Sequence, residues 1–181
     1  MLKNDLISLR APEPEDLELL YIWENDPDIW QVSNTLAPFS RFELKQYLES
    51  TRKDLYEARQ LRLMIDVTAG TPQKTVGTID LFEFEPYHNR AGVGILIADK
   101  AERGKGYASA ALDLLIDYTF NHLSLHQLFC NISADNTNSI NLFKNKGFVI
   151  TGEKTDWLWE NNEWKNEYIL QLINNLTIRN D

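Results

Sequence analysis

Residues 103–108 have the sequence Arg-Gly-Lys-Gly-Tyr-Ala and lie between two runs of different periodicity. An apolar run over residues 93–98 precedes them, and residues 108–120 carry apolar side chains at helical spacing. The pattern predicts a strand, a glycine turn and a helix. A helix start offers unpaired backbone N–H groups and partial positive charge, and glycine allows close approach of a ligand. With Arg103 and Lys105 adding charge, the turn predicts a binding site for a phosphate or pyrophosphate.

Two common phosphate motifs do not fit this turn. The G-x-x-x-x-G-K-[ST] pattern of nucleotide hydrolases is missing, and Gly104 and Gly106 lack the third glycine of the dinucleotide fingerprint. The pattern R/Q-x-x-G-x-G/A does fit, through Arg103, Gly106 and Ala108.

A second motif follows at residues 136–148 and matches N-x-x-[SA]-x-x-[LF]-[YF]-x-x-x-G-F at each fixed position. Those positions are Asn136, Ser139, Leu142, Phe143, Gly147 and Phe148. The two motifs, in this order, resemble those of the GNAT superfamily of N-acetyltransferases, in which the first motif binds the pyrophosphate of acetyl-CoA. The resemblance implies acetyl-CoA as cosubstrate and no metal.

Further stretches look like the bacterial spermidine N-acetyltransferases, namely residues 76–83, 88–91, 95–98, 125–126 and 164–172. This resemblance implies acetyl transfer to a primary amine, foremost a polyamine such as spermidine, by direct attack in a ternary complex. Residues 9–10 and 15–17 also suit the group that acetylates ribosomal-protein N-termini. The alternatives are therefore N-terminal acetylation of a protein or acetylation of an amino-sugar and, in another class, a catalytically silent acyl-CoA-binding module.

The resemblance also implies which residues bind the cofactor. The strand before the turn holds the pantetheine arm through its backbone, the turn binds the pyrophosphate, and the second motif contacts the arm. The residues are Leu96, Ile97, Ala98, Arg103, Gly104, Lys105, Gly106, Tyr107, Ala108, Ser109, Asn136, Ser139 and Phe143.

A carboxylate is the natural proton acceptor for an amine nucleophile. Asp80 and then Glu83 are the candidates, with Asn136 placing the thioester; a regular strand would point the two acids to opposite faces, so both can act only if the strand bulges. Two positions depart from the family. Phe143 replaces the tyrosine presumed to protonate the leaving thiolate, and Gly92 replaces a glutamate that many relatives carry.

Composition limits the remaining possibilities. A net charge of −9 over 181 residues disfavours nucleic acid as a partner. No apolar run reaches the length of a membrane span, and the N-terminus lacks a signal-peptide pattern, so we expect a cytoplasmic protein. Cys130 is the single cysteine and is expected to be a buried thiol. A homo-oligomer follows from the resemblance alone.

The whole chain, 1–181, predicts one α/β (α+β) domain, with a polar tail at 174–181. The order is β-α-α-β-β-β-α-β-α-β-β around a mixed, mostly antiparallel twisted sheet. Strands are predicted at residues 5–10, 61–67, 75–84, 93–98, 126–133, 148–151 and 164–172, and helices at 15–23, 40–58, 108–120 and 136–146.

Overall fold

The computed structural model describes residues 2–33, 35–50, 54–69 and 73–175. The strands are β1 (Leu2–Lys3), β2 (Ile7–Arg10), β3 (Leu61–Val67), β4 (Lys74–Glu85), β5 (Arg90–Ile97), β6 (Gln127–Ser133), β7 (Val149–Glu160) and β8 (Glu163–Ile173). The helices are α1 (Leu17–Glu24), α2 (Pro27–Ser33), α3 (Arg41–Ser50), α4 (Leu55–Ala58), α5 (Tyr107–Asp117) and α6 (Thr137–Asn145). A single π-helical turn, Tyr118–His122, extends α5.

The eight strands form one sheet in the order β1-β2-β3-β4-β5-β6-β8-β7. Every neighbouring pair is antiparallel except β5 and β6, which are parallel. A parallel pair needs a crossover, and α5 supplies it. The predicted mixed, mostly antiparallel sheet is confirmed.

The sheet is covered on both faces, and β3 shows how its residues divide between them. Leu63 and Ile65 belong to the core beneath α5 and α6, whereas Met64 packs with α1, α2 and α3 on the other face. This two-residue alternation follows from strand geometry. Arg62 therefore faces the same side of the sheet as Met64.

An ion-pair network ties the start of α1 to the sheet. Arg10 donates to Asp16 at 2.6 and 2.8 Å and to Asp66 at 2.6 Å. Burial acts to raise the pKa of Asp16, but its hydrogen bonds with Arg10 and the Glu13 amide outweigh burial and lower it. The carboxylate stays ionised and holds α1 in place.

The predicted elements are confirmed in kind, with differences in extent. The predicted helix 40–58 is not continuous, because Asp54 adopts an extended conformation and caps a separate α4; residues 51–53 lie outside the described part. Ser40 and Glu43 form a capping box at the start of α3. A further helix, α2 (Pro27–Ser33), lies between the predicted helices 15–23 and 40–58, where no element was predicted.

The C-terminal hairpin is longer than predicted. β7 continues to Glu160, beyond the predicted end at 151, and turns into β8 through Asn161 and Asn162. Both asparagines adopt positive φ, as a tight hairpin turn requires. Of the predicted tail, Asn174 is buried and donates its backbone N–H to the His126 carbonyl at 2.8 Å; residues 176–181 lie outside the described part.

None of the described helices is long and apolar enough to cross a membrane. Among the described residues, no group of three or more His, Cys, Asp or Glu side chains is arranged to hold a metal ion.

Candidate active site

A cleft opens where the two parallel strands separate. The register between β5 and β6 runs from the pair Arg90–Gln127 to the pair Gly92–Phe129. Beyond it, residues 93–97 and 130–133 line the two walls of a cleft of about 920 Å³. Separated strands leave backbone N–H and C=O groups without ladder partners, so the cleft offers an extended ligand a strand edge.

The wall formed by β5 has a defined orientation. The Ala98 N–H donates to the Val76 carbonyl at 3.0 Å, so Ala98 uses its amide in the sheet. Antiparallel pairing alternates, which turns the backbone groups of Leu96 toward β4 and those of Ile95 and Ile97 toward the cleft. The Ile97 carbonyl there accepts from Arg103 Nε at 2.9 Å. Of the three residues predicted to hold the arm, Ile97 presents its backbone, Leu96 lines the cleft, and buried Ala98 does neither.

The glycine turn closes one end of the cleft. Gly106 is the N-cap of α5 with φ of 86°, in the left-handed region that favours glycine. The first turn of α5 contains no acidic residue, so its free N–H groups keep their positive potential. Six of the seven predicted turn residues line the cleft, which are Arg103, Gly104, Gly106, Tyr107, Ala108 and Ser109. Lys105 instead pairs with Glu102 at 2.9 Å.

The N-cap and residues of α6 also line the cleft. Asn136 is the N-cap of this helix, and its Oδ1 accepts from the Ser139 amide at 3.1 Å. Phe143 is 3% exposed and meets Phe148 edge-on at 5.0 Å between ring centroids. All three predicted residues of this motif, Asn136, Ser139 and Phe143, line the cleft.

A second cavity, of about 350 Å³, lies between the sheet and the N-terminal helices. We call it the acceptor cavity. It is lined by Leu20, Trp23, Glu24, Ile29, Tyr47, Gln60, Leu61, Arg62, Thr78, Asp80, Leu81, Phe82, Gly94, Ile95 and Leu96. The last three of these also line the cleft, so the two cavities meet at the middle of β5.

Three charged side chains lie in the acceptor cavity. Arg62 donates from Nε to Asp80 at 2.7 Å and from Nη1 to Glu24 at 2.6 Å. Their side chains are between 18% and 25% exposed. Burial raises the pKa of Asp80 above its ordinary value, and Arg62 opposes the increase without cancelling it. The group carries one net negative charge when both acids are ionised.

The family model of the acetyltransferase (GNAT) domain matches residues 7–149 of the sequence. The chain belongs to the GNAT acetyltransferase family. It is therefore an acetyl-CoA-dependent N-acetyltransferase, and the resemblance noted from its two motifs is confirmed.

Several relatives cover nearly the whole enzyme. The spermidine N(1)-acetyltransferase of Vibrio cholerae is 26% identical over 171 residues, which are 93% of this chain and 95% of the relative. The Escherichia coli K12 spermidine N(1)-acetyltransferase is 26% identical over 88% of this chain and 82% of its own length. The aminoglycoside N(6')-acetyltransferase type 1 of Klebsiella pneumoniae is 26% identical over 84% of this chain and 78% of its own length.

Solved structures show the same fold. The Vibrio cholerae spermidine N-acetyltransferase in complex with CoA and spermine superposes with a TM-score of 0.83 at 22% identity, covering 94% of this chain and 96% of that one. The GNAT-like architecture predicted from the motifs is thereby confirmed.

The second acid candidate of the acetyltransferase, Glu83, occupies a bulge. The register between β4 and β5 shifts between Phe82 and Glu85, and Glu83 has φ of 47°. The condition stated for both acids to act, a bulged strand, is met. The exposed Glu83 side chain nevertheless lies outside the acceptor cavity, while Asp80 lines it.

The structure gives a physical reason for Gly92. A Cβ at this position would lie 2.3 Å from the Phe82 ring, which stands edge-on to Phe129 at 5.7 Å. The Phe82 ring thus fills the space beside Gly92, where the family resemblance had implied a glutamate. Cys130 lines the cleft, but burial raises its pKa to about 12, so it is a poor nucleophile at neutral pH.

Sequence reasoning missed Glu24 and Arg62. One signal for Arg62 was available, because it and Asp66 are the two charged residues in a strand that is otherwise apolar. Glu24 carries no such signal, since a glutamate at the end of a helix is ordinary. Its contact with Arg62 arises only when α1 packs against β3 in the folded protein.

Proposed function

We propose that this enzyme transfers the acetyl group of acetyl-CoA to a primary amine of a polyamine such as spermidine, by direct attack in a ternary complex. The observation that carries the proposal is the wall at Gly94 to Leu96, which the cleft shares with an acidic, partly apolar cavity. A thioester bound in the cleft would meet an amine bound in the cavity at this wall. The spermidine N(1)-acetyltransferases among the relatives support the same acceptor class.

In this proposal the cofactor binds along the cleft. The free N–H groups at the start of α5, with Arg103 beside them, hold the diphosphate. The backbone of Ile95 and Ile97 pairs with the pantetheine arm, and an N–H on this edge polarises the thioester carbonyl. Asn136 contacts the arm near the thioester.

Asp80 is proposed as the proton acceptor. An alkylamine with a pKa of about 10.4 needs about 4.6 kcal/mol to lose its proton at pH 7. Asp80 lies opposite Gly94 in the β4–β5 register, directly beside the shared wall. Its raised pKa makes it a stronger base than an ordinary aspartate. Glu83 would assist from outside the cavity through solvent.

Phe143 cannot protonate the leaving thiolate, because phenylalanine has no donor. A thiol with a pKa of about 8.5 leaves tolerably as thiolate. Phe143 is proposed to shield the thioester from water, which agrees with its burial against Phe148.

The decisive assay measures CoA release from acetyl-CoA with three acceptors: spermidine, an alanine- or serine-led peptide, and an aminoglycoside. The proposal expects the largest kcat/KM with spermidine. The amino-sugar alternative is included because an aminoglycoside N(6')-acetyltransferase is among the relatives. A peptide or aminoglycoside preference would overturn the polyamine assignment, and CoA binding without release over the whole panel would favour a silent acyl-CoA-binding module.

We also propose that the protein is a cytoplasmic homo-oligomer. A Vibrio cholerae spermidine N-acetyltransferase forms a dodecamer. Trp157, Trp159 and Trp164 are each more than half exposed on the β7–β8 hairpin, and an apolar surface of this kind is typical of protein contacts. Light scattering after size exclusion tests the assembly; a monomer across the micromolar range would contradict it.

A further inference from the structure

Asp80 is the register partner of Gly94 in the shared wall, whereas Glu24 is connected to Asp80 through Arg62. Gly94 belongs to β5, Asp80 to the neighbouring β4, and Arg62 to β3, one strand beyond. Asp80 and Arg62 are register partners, so one strand spacing, about 4.8 Å, separates their backbones. Glu24 reaches Arg62 from the end of α1. A ligand that extended from the shared wall past Asp80 toward the end of α1 would therefore meet the second carboxylate after the first.

The surroundings of the two acids suit a chain with two nitrogens. Apolar side chains cover the space around the charged group, including Leu20, Trp23 and Ile29 from the helices and Leu96 from β5. Methylene groups would pack on these walls, while nitrogens meet carboxylates. The single net negative charge of the group also favours an incoming cation.

We propose that Glu24 is a specificity-determining residue, which binds an ammonium group of the acceptor other than the reacting amine. Arg62 is the positioning residue, because its guanidinium bonds both carboxylates and fixes the distance between them. This inference rests on the proposed amine acetylation and narrows the acceptor to alkyl diamine units. A purely structural triad would instead hold α1 against the sheet without distinguishing between acceptors.

The test compares 1,4-diaminobutane with n-butylamine, which has the same carbon chain and one nitrogen. The kcat/KM ratio of diamine to monoamine is measured by CoA release for wild type, Glu24→Gln and Glu18→Gln. Glu18 is the control, since it lies on the same helix, is exposed and pairs with Arg41 away from the cavity. Glu24→Gln should lower the ratio about tenfold or more, through the KM of the diamine. Glu18→Gln should keep the ratio within about twofold of wild type.

An unchanged ratio in Glu24→Gln overturns the inference, as does an equal loss with both amines. If the ratio is unchanged but the wild-type protein acetylates spermidine, the proposed function stands and only the inference is removed. Wild-type protein that acetylates neither amine nor spermidine removes both.

A second variant covers the event that Glu24→Gln does not fold. Glu24→Asp keeps the charge and withdraws the carboxylate by one methylene group. The preferred diamine should then become longer by about one carbon, with kcat nearly constant. The same length preference as wild type, across diamines of three to six carbons, overturns the inference.

Discussion

Asp80 combines the three properties that a proton acceptor needs here. It faces the acceptor cavity, it lies beside the wall shared with the cleft, and burial raises its pKa. Arg62 holds its carboxylate in one orientation at 2.7 Å. The register of the sheet and the hydrogen bond from Arg62 thus hold the proposed proton acceptor beside the shared wall.

Asp80→Asn should lower kcat/KM with spermidine by about 10² to 10⁴ near neutral pH, because general-base catalysis contributes that range. Wild-type activity needs the ionised carboxylate, so its rate should fall as pH drops through the raised pKa, above the ordinary aspartate range. The acidic limb of the kcat/KM profile should vanish in the variant. Glu83→Gln is the comparison; a larger loss there than in Asp80→Asn would reverse the assignment.

Phe143→Tyr restores the donor that the family carries. If protonation of the thiolate limits turnover, kcat should rise, most at pH 7 and least well above the thiol pKa of about 8.5. The measurement is kcat across pH 6.5 to 9.5 at saturating acetyl-CoA. Equal kcat for variant and wild type at both ends of this range would remove acid catalysis as the limiting step.

At the scale of elements, the start of α5 is the critical feature. Its N-cap, Gly106, has a backbone conformation that other residues adopt at a cost, and the first residues of the helix line the cleft. The same helix forms the crossover between the parallel strands that open. One segment therefore forms both an end of the cleft and the crossover.

Gly106→Ala should destabilise the protein by about 1–2 kcal/mol, the cost of the left-handed conformation for an L-residue, and should weaken CoA binding. Urea unfolding and calorimetric titration with CoA measure the two effects. Gly152→Ala is the matched control, because a Cβ there meets Ile169 at an ordinary 3.6 Å. It should change stability by less than about 1 kcal/mol and leave CoA binding unaltered. Equal behaviour of the two variants would contradict the role given to the turn.

At the scale of the whole molecule, two cavities on opposite sides of β5 are brought to one point. The cleft exists because β5 and β6 pair at one end and separate at the other. The acceptor cavity exists because α1, α2 and α3 cover the opposite face of the same sheet. In the proposed function, both cavities are needed to bring the thioester and the amine together.

CoA at about 100 times its dissociation constant should stabilise the folded protein by about 2.7 kcal/mol. For a domain of this size, that corresponds to a rise in Tm of about 5–10 °C. Pantetheine, which lacks the diphosphate, should produce a clearly smaller rise at the same concentration. Equal shifts for both ligands in a thermal unfolding assay would refute diphosphate binding at the start of α5.

The sequence by itself determined the family, the cofactor turn and most elements, because these depend on local spacing. Two glycines and a helix period locate the turn, and alternation in β4 places Asp80 opposite to Ile79 and Leu81. Boundaries were less accurate where a cap such as Asp54 interrupts an apolar pattern.

The tertiary structure alone decided where the acids lie. Asp80 and then Glu83 were the candidates from the sequence, and a bulge leaves Glu83 exposed while Asp80 lines the cavity. Arg62 and Glu24 are 38 residues apart and become partners when α1 packs on β3. Local periodicity specifies which face a side chain takes, but the distance between charges depends on how separate elements pack.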